Sequence, residues 1–334
     1  MTNHEAHMRH AMHMADTARL HARPNPWVGA VVVCASGEVY EGATQPPGSA
    51  HAEIVAMTAA RDASDSLTGA TLYSTLEPCS HTGRTGPCAQ AIIDAGISRV
   101  VVAVTDPDDQ VSGRGIHMLR EAGIDVIEGV CAAEVRAQLA PYLHHRHTGR
   151  PFVMLKMATT LDARTAIPNG PRWITGEEAR VRVHQLRAES DAIVVGAGTV
   201  RTDDPELTVR HVDGPSPRRI VLSHGDIPTD AKVQPCDVWS RDLETLLDTL
   251  GADGVVQLMV EGGPTVATAF HERGLINRYV FHIAPTITGA TDAPGVFAGD
   301  GALPLTDCAL VSAAAYGADL EIVLDPQREK VVTP

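Results

Sequence analysis

The apolar positions of this chain fall into two alternating kinds, short β-branched runs and longer stretches spaced for helices. Near the start, Met8, Met12, Ala15 and Ala18 recur at helical spacing and predict an amphipathic helix. After Pro24-Asn25-Pro26 the run WVGAVVVC predicts a buried strand. The pattern continues with a helix over 51–61, a strand at ATLYST, a helix over 88–96 and a strand at RVVVAV. A helix over 113–123, a strand at IDVIEG and a helix over 132–143 follow. The segment 144–151, HHRHTGRP, is polar, closes on Gly and Pro, and predicts a linker. Beyond it come PFVMLKMA, a helix over 177–189, DAIVVGA, RRIVLS, a helix over 242–250 and VVQLMVEGG. The last elements are a helix in TVATAFHERG, a strand at RYVFHIAP and a closing strand near 320–324. Strand–helix alternation of this kind predicts layered α/β sheets in two domains, 1–147 and 148–334.

Length agrees with that division, since 334 residues exceed what one hydrophobic core usually organises. With 44% hydrophobic and 20% charged residues, the composition is that of a globular chain rather than a disordered one. No apolar run approaches the roughly 20 residues that span a bilayer. The first residues, MTNHEAHMRHAMHMADTARL, lack the basic-then-apolar plan of a signal peptide, so a cytoplasmic protein is expected. The net charge is −14 and is shared by both halves, with no basic stripe to neutralise phosphates. A small-molecule substrate is therefore expected, with neither nucleic acid nor membrane as partner; a homo-oligomer is compatible with the sequence. His4, His7 and His10 share a face of the first helix, which reads as a solvated surface rather than a metal site. Lysine is rare: Lys156, at the end of an apolar strand, is one of three among 27 basic residues.

Six cysteines in a chain of this type do not suggest a disulfide framework. Four sit among apolar neighbours as small core residues, whereas Cys79 and Cys88 each follow a proline in a polar turn. Upstream stands His51-Ala52-Glu53. One imidazole and two thiolates leave the fourth position of a tetrahedral zinc open for water, as a catalytic site requires. Glu53, two residues from the ligand His51, is then free to shuttle the proton. This is the zinc-deaminase signature, H-x-E then P-C-x-x-C, but with nine positions rather than three separating the cysteines. The rival reading is a structural zinc, with His81 as fourth ligand, which leaves Glu53 without a purpose. A nucleic-acid-editing deaminase is a further rival, opposed by the acidic balance.

The run TLEPCSHTGRTGPC, together with PNPWVGAVVV, HAE and DPDDQVSGRGI, closely resembles the deaminase half of the bifunctional riboflavin-biosynthesis deaminase/reductase family. The long insertion between the cysteines is characteristic of that family. The resemblance implies a cytidine-deaminase-like three-layer α/β sandwich, with zinc on His51, Cys79 and Cys88 and Glu53 as proton shuttle. Asn25 would contact the pyrimidine or its ribose. The implied substrate is 2,5-diamino-6-ribosylamino-4(3H)-pyrimidinone 5′-phosphate.

Two later strand–glycine–helix junctions, Gly196-Ala197-Gly198-Thr199 and Glu261-Gly262-Gly263-Pro264-Thr265, suit phosphate binding without forming a G-x-G-x-x-G fingerprint. Together with LKMATTLDARTA, RWIT, VGAGTVRTDDPELTVR and IAPTITGA they resemble the same family's reductase half. That likeness implies a dihydrofolate-reductase-like α/β domain that uses NADPH to reduce the ribose of the deaminated aminouracil to a ribityl chain. It places Ala158, Trp173, Thr199, Asp203 and the run Gly263, Pro264, Thr265, Val266, Ala267, Thr268 and Ala269 beside the cofactor. Arg187, Leu207, Arg210 and Glu261 would contact substrate, and Lys156 would approach the carbon that receives hydride. The chain departs from the family pattern at Ala163, where glycine is usual, and at Pro171, where a substrate-binding serine is usual. Ser223-His224 replaces an Asp-Ser pair, and His224 would face the adenosine 2′-phosphate. A degenerate, non-catalytic second domain is the alternative that these departures raise.

Overall fold

The β-branched runs pair into two separate sheets, one in each of two units, Met1–Gly149 and Arg150–Pro334. The computed structural model describes residues 3–80, 86–108, 111–299, 303 and 305–327.

In the first unit the strands are β1 (Gly29–Val33), β2 (Val39–Ala43), β3 (Thr71–Leu76), β4 (Arg99–Val104) and β5 (Asp125–Glu128), in spatial order β2-β1-β3-β4-β5. β1 runs antiparallel to both neighbours, while β3, β4 and β5 are mutually parallel. The helices are α1 (Asn3–Ala18), α2 (Ala52–Asp62), α3 (Cys88–Asp94), α4 (Arg114–Glu121), α5 (Ala132–Gln138) and α6 (Ala140–Thr148). Two glycines on adjacent strands fix the layering. A Cβ at Gly29 would lie 1.8 Å from the Ala11 carbonyl of α1, and one at Gly42 would lie 2.3 Å from the Ala52 carbonyl of α2. Gly29 pairs with Ala43 and Gly42 with Ala30, so the two glycines look to opposite faces. The sheet is thus sandwiched between helices, three layers as expected.

Two expectations need correction. The single helix over 132–143 is broken at Leu139, because Pro141 lacks the amide a continuing helix needs and instead sits in the first turn of α6. The polar segment 144–151 is mostly helix, not linker: α6 runs to Thr148 and Gly149 closes it in the left-handed conformation, φ 70°. Its polarity reflects a solvated helix face around the buried His145.

The second unit adds β6 (Phe152–Thr160), α7 (Glu177–Ala188), β7 (Ala192–Gly196), α8 (Ala197–Asp203), β8 (Arg218–Leu222), β9 (Asp237–Trp239), α9 (Leu243–Ala252), β10 (Gln257–Val260), α10 (Pro264–Glu272), β11 (Arg278–Ala284), β12 (Cys308–Tyr316) and β13 (Asp319–Pro326). They build an eight-stranded sheet, β12-β13-β11-β6-β10-β7-β8-β9. The strands from β11 to β9 are parallel, and β13 and β12 add an antiparallel edge. Val153, Leu155 and Met157 of β6 face one core with α9 and α10, where Phe270 is fully buried. Met154 faces the other core with Val183 and Leu186 of α7 and Val200 of α8. Lys156 therefore shares the α7 face, by the two-residue period of a strand.

Candidate active sites

His51 is the N-cap of α2 and Glu53 lies in that helix's first turn. Cys79 follows β3, and Cys88 opens α3 behind Pro87. The close seating of α2 against β2 brings His51 Nδ1 to 3.6 Å from Cys79 Sγ and 3.3 Å from Cys88 Sγ. All three ligand atoms lie within 4.8 Å of one another, the one such metal-competent group among the described residues. Zinc bonds of about 2.0 Å to nitrogen and 2.3 Å to sulfur, at tetrahedral angles, would separate nitrogen from sulfur by roughly 3.6 Å. The cluster fits zinc in donor type and spacing. His81 lies outside the described residues.

The two thiols share charge unequally. A hydrogen bond from Cys88 pulls the Cys79 thiol well below its ordinary value, and the same bond, with burial, pushes Cys88 up. The Cys88 amide also donates to Cys79 Sγ at 3.3 Å. His51 is raised through its bond to Cys79. Glu53 is 3% exposed, and burial pushes its carboxyl up to about 7, where it can both take and give a proton near neutrality.

A cavity of about 470 Å³ opens onto this cluster, lined by Asn25, Thr44, His51, Glu53, Cys79 and Asp106 among others. Its floor is held by Glu77, at the end of β3. That carboxylate accepts amide hydrogen bonds from Asp106, Gly113, Gly115 and Ile116 at 2.9–3.2 Å. Gly115 is required there, since a Cβ would lie 2.0 Å from the Pro78 carbonyl. Asp106 accepts from the Tyr142 hydroxyl at 3.2 Å. Glu77 and Asp106 stand in the runs TLEPCSHTGRTGPC and DPDDQVSGRGI, but the sequence assigns neither a role, and Tyr142 belongs to no such run.

In the second unit, Lys156 is 6% exposed and burial lowers its pKa. β6 and β10 pair with Leu155 opposite Val260, which puts Glu261 next to Lys156 along the sheet. Arg187 of α7 grips both Glu261 oxygens, Nε to Oε2 at 2.9 Å and Nη2 to Oε1 at 2.8 Å. It also donates to the Thr208 carbonyl at 3.2 Å. Leu207 is buried with φ 55°, and the exposed Arg210 guanidinium pairs with Glu206. The structure thus joins Lys156, Glu261 and Arg187 and ties the Leu207–Arg210 segment to them. Both arginines meet a carboxylate, Arg187 through two nitrogens and largely buried, Arg210 through one nitrogen at the surface.

The two strand–glycine–helix junctions are neighbours because β7 and β10 pair, and the Gly263 amide donates to Thr199 Oγ1 at 3.2 Å. Gly263 caps α10, with Pro264 and Thr265 in its first turn. A Cβ at Gly198 would meet nothing within 4 Å, so the backbone there stays open to a ligand. Val266 and Ala267 turn into the core, Ala269 packs against it, and Thr268 bonds Ala298. Trp173 is 58% exposed between Arg172 and Arg180, and Arg172 bonds the Asp203 carbonyl. Ala158 is partly buried on β6 and His224 is exposed beyond β8. Ala163 adopts φ 60°, a left-handed conformation that suits the glycine of the family pattern better than alanine. At the start of α10 the Gly263 amide is held by Thr199, Pro264 has no N–H and the Val266 amide bonds the Gly263 carbonyl, so what this junction offers a phosphate is the helix dipole, the Thr265 amide and the Thr199 hydroxyl.

A three-ligand zinc cluster with a buried glutamate, joined to an α/β unit with paired glycine junctions, defines the class: a zinc-dependent deaminase fused to a reductase. Residues 1–104 match the cytidine and deoxycytidylate deaminase zinc-binding region, and residues 151–322 match the RibD C-terminal domain. The chain is 38% identical over 334 residues to the riboflavin biosynthesis protein RibD of Escherichia coli, with 87% of this chain and 90% of that protein covered. It is 41% identical over 287 residues to RibD of Mycobacterium tuberculosis, covering 82% and 84%. Among solved structures, Acinetobacter baumannii RibD superposes with a TM-score of 0.89 at 33% identity, covering 97% of this chain and 99% of that one. The Thermotoga maritima diaminohydroxyphosphoribosylaminopyrimidine deaminase/5-amino-6-(5-phosphoribosylamino)uracil reductase gives 0.85 at 32%, covering 97% and 98%. The chain belongs to the RibD family, the bifunctional deaminase/reductases of riboflavin biosynthesis.

Proposed function

We propose that the first unit hydrolyses the 2-amino group of 2,5-diamino-6-ribosylamino-4(3H)-pyrimidinone 5′-phosphate and that His51, Cys79, Cys88 and Glu53 do the work. The three ligands would hold zinc, which supplies an attacking water acidic enough to react near neutral pH. Glu53 takes the proton of that water on its carboxylate and delivers it to the exocyclic nitrogen. The C2–N bond then breaks, ammonia leaves, and C2 becomes a carbonyl. Asn25, on the cavity wall, would contact the pyrimidine or its ribose. The observation that carries this reading is a cluster of three ligands among the described residues, with a buried carboxylate two residues from one of them.

The second unit would reduce the ribose of 5-amino-6-(5-phosphoribosylamino)uracil, with NADPH supplying hydride to its C1 carbon. The start of α10 (Gly263, Pro264, Thr265), with Thr199, Ala158, Trp173, Asp203 and His224, would border the cofactor. Val266, Ala267, Thr268 and Ala269 would support that helix from within. Lys156 would hold the proton on the ring oxygen as the ribose opens, while Glu261, Arg187 and Leu207 line the sugar and Arg210 meets its phosphate.

The substrate in both steps is a small molecule. The acidic balance opposes nucleic acid, and no helix among the described residues is long and apolar enough to cross a membrane. A cytoplasmic location suits this reading. A homo-oligomer is compatible with it, since the edge strand β12 is exposed along most of its length. Cys79→Ala and Cys88→Ala test the division of labour: each should lose zinc and ammonia release while still reducing supplied deaminated substrate. Deamination that survives complete zinc removal would overturn it.

A further inference from the structure

Lys156 shares its sheet face with a second array of buried charge. β6 and β11 pair with Val280 opposite Lys156 and His282 opposite Ala158, which makes Lys156 and His282 diagonal neighbours on one face. On the next strand Glu321 stands opposite His282. His282 Nε2 lies 2.8 Å from Glu321 Oε2, with the side chains 1% and 4% exposed. Arg182 of α7 donates through Nε to the same carboxylate at 3.2 Å and lies 3.6 Å from Glu189. Asp319, at the start of β13, accepts the Gly176 amide at 2.6 Å. A buried array of this kind is costly to desolvate and is weak evidence of stability alone.

Of the three carboxylates near Lys156, Asp319 holds the Gly176 amide, and Glu261 and Glu321 are held differently from each other. Glu261 has both oxygens on the permanently charged Arg187. Glu321 is shared between Arg182 and a histidine whose other nitrogen, Nδ1, is buried without a hydrogen-bond partner. Burial lowers the His282 pKa, which favours the neutral ring. A neutral ring that donates Nε2–H to Glu321 carries a lone pair on Nδ1. An unmet acceptor in the interior is itself costly. The donor that the reaction would bring to this face is the Lys156 ammonium. Other titratable groups on this side are Arg187 and Glu261, which are already paired, Tyr316 of β12, whose ring stacks beside His282 with centroids 6.3 Å apart, and His184, whose Nδ1 accepts the Arg210 amide.

We propose that His282, fixed through Glu321 by Arg182, is a positioning residue for Lys156, its Nδ1 accepting a hydrogen bond from the lysine ammonium and holding it toward the ribose. This rests on the reductase role proposed for Lys156.

The test is steady-state reduction of the deaminated substrate by the full chain across a pH series, with NADPH consumption followed. His282→Phe keeps the bulk but removes donor and acceptor. His282→Gln keeps a donor for Glu321 and an acceptor for Lys156. H282F should lower kcat about tenfold, the equivalent of one pKa unit, with the KM for NADPH nearly unchanged. The limb set by Lys156 should move to lower pH, because the ammonium has lost an acceptor, and H282Q should restore most of both. If H282F does not fold, His282→Asn, too short to span both partners, gives the same contrast with H282Q. An H282F or H282N enzyme with wild-type kcat and limb overturns the inference, as does H282Q impaired as deeply as H282F. Lys156→Met in parallel separates the two claims. If K156M reduces substrate at the wild-type rate, the role of Lys156 falls, whereas an inactive K156M beside a normal H282F removes only His282.

Discussion

Gly42→Ala should damage deamination from a position that touches no substrate. Gly42 lies on β2 against the first turn of α2, and its Cβ would lie 2.3 Å from the Ala52 carbonyl and 2.5 Å from the Ala56 amide. Both contacts are with backbone, so no side chain can rotate away. Non-bonded atoms settle near 3.5 Å, which means that α2 must retreat from the sheet by roughly 1 Å. Ala52 is flanked by the ligand His51 and by Glu53, so both move with it. Overpacking of this kind costs about 1–3 kcal/mol, and a misplacement of about 1 Å in reacting groups costs on the order of 100-fold in rate. The assay is ammonia release from the diaminopyrimidinone phosphate, with zinc content and thermal stability measured on the same sample. The expected result is a deamination kcat/KM down about 100-fold and a melting temperature down by several degrees. Reduction of supplied deaminated substrate should be unchanged. Wild-type deamination in a folded G42A protein would refute the view that the β2–α2 contact sets the geometry of His51 and Glu53.

Glu53→Gln should keep stoichiometric zinc, since the carboxylate is not a ligand, and lose about 10²–10⁴-fold in kcat; loss of zinc with activity would place Glu53 in the coordination shell instead. Burial raises Glu53 to about 7, so its carboxylate form disappears as pH falls through that region. Deamination should show an acid limb, displaced to lower pH by the zinc charge and missing from the residual activity of E53Q; an unchanged limb in E53Q would assign it to another group. Lys156→Met should raise the melting temperature at neutral pH while abolishing reduction and sparing NADPH binding. The sign follows from the lowered lysine pKa: the buried ammonium costs stability at all pH values below its folded-state pKa, and that cost fades as pH rises towards the ordinary lysine value. The K156M advantage should therefore shrink in alkaline buffer, and a melting temperature below wild type at neutral pH would contradict it.

Much of the first site was legible because its chemistry is local in sequence. His51 and Glu53 are two residues apart on one helix start, and both cysteines are marked by prolines. The alternation of apolar runs likewise exposed most strands, since parallel strands buried on both faces read as unbroken β-branched runs. What escaped was tertiary. β2 begins with the exposed, mixed run Val39-Tyr40-Glu41, and β12 is exposed nearly throughout, so neither carries a strong apolar signal. Glu77 stands within a motif, but its task shows only where the amides of Asp106, Gly113, Gly115 and Ile116 fold onto it. Arg187 on an arginine-rich helix could have been a surface charge; only the pairing of β6 with β10 shows the half-buried Glu261 it holds. His282 and Glu321, far apart in sequence, meet across antiparallel strands that no spacing rule connects.

The central claim is that one chain performs two successive reactions at two separate sites. The most direct measurement incubates the purified, zinc-loaded protein with 2,5-diamino-6-ribosylamino-4(3H)-pyrimidinone 5′-phosphate, with and without NADPH, and follows ammonia, NADPH and the pyrimidine product together. Without NADPH the account predicts ammonia release that stops at the deaminated ribosyl compound. With NADPH it predicts one cofactor oxidised per ammonia released and accumulation of the ribityl product. Ammonia release without any NADPH oxidation would contradict it by reducing the second unit to a non-catalytic partner, and NADPH oxidation without ammonia release would do so by removing the deaminase.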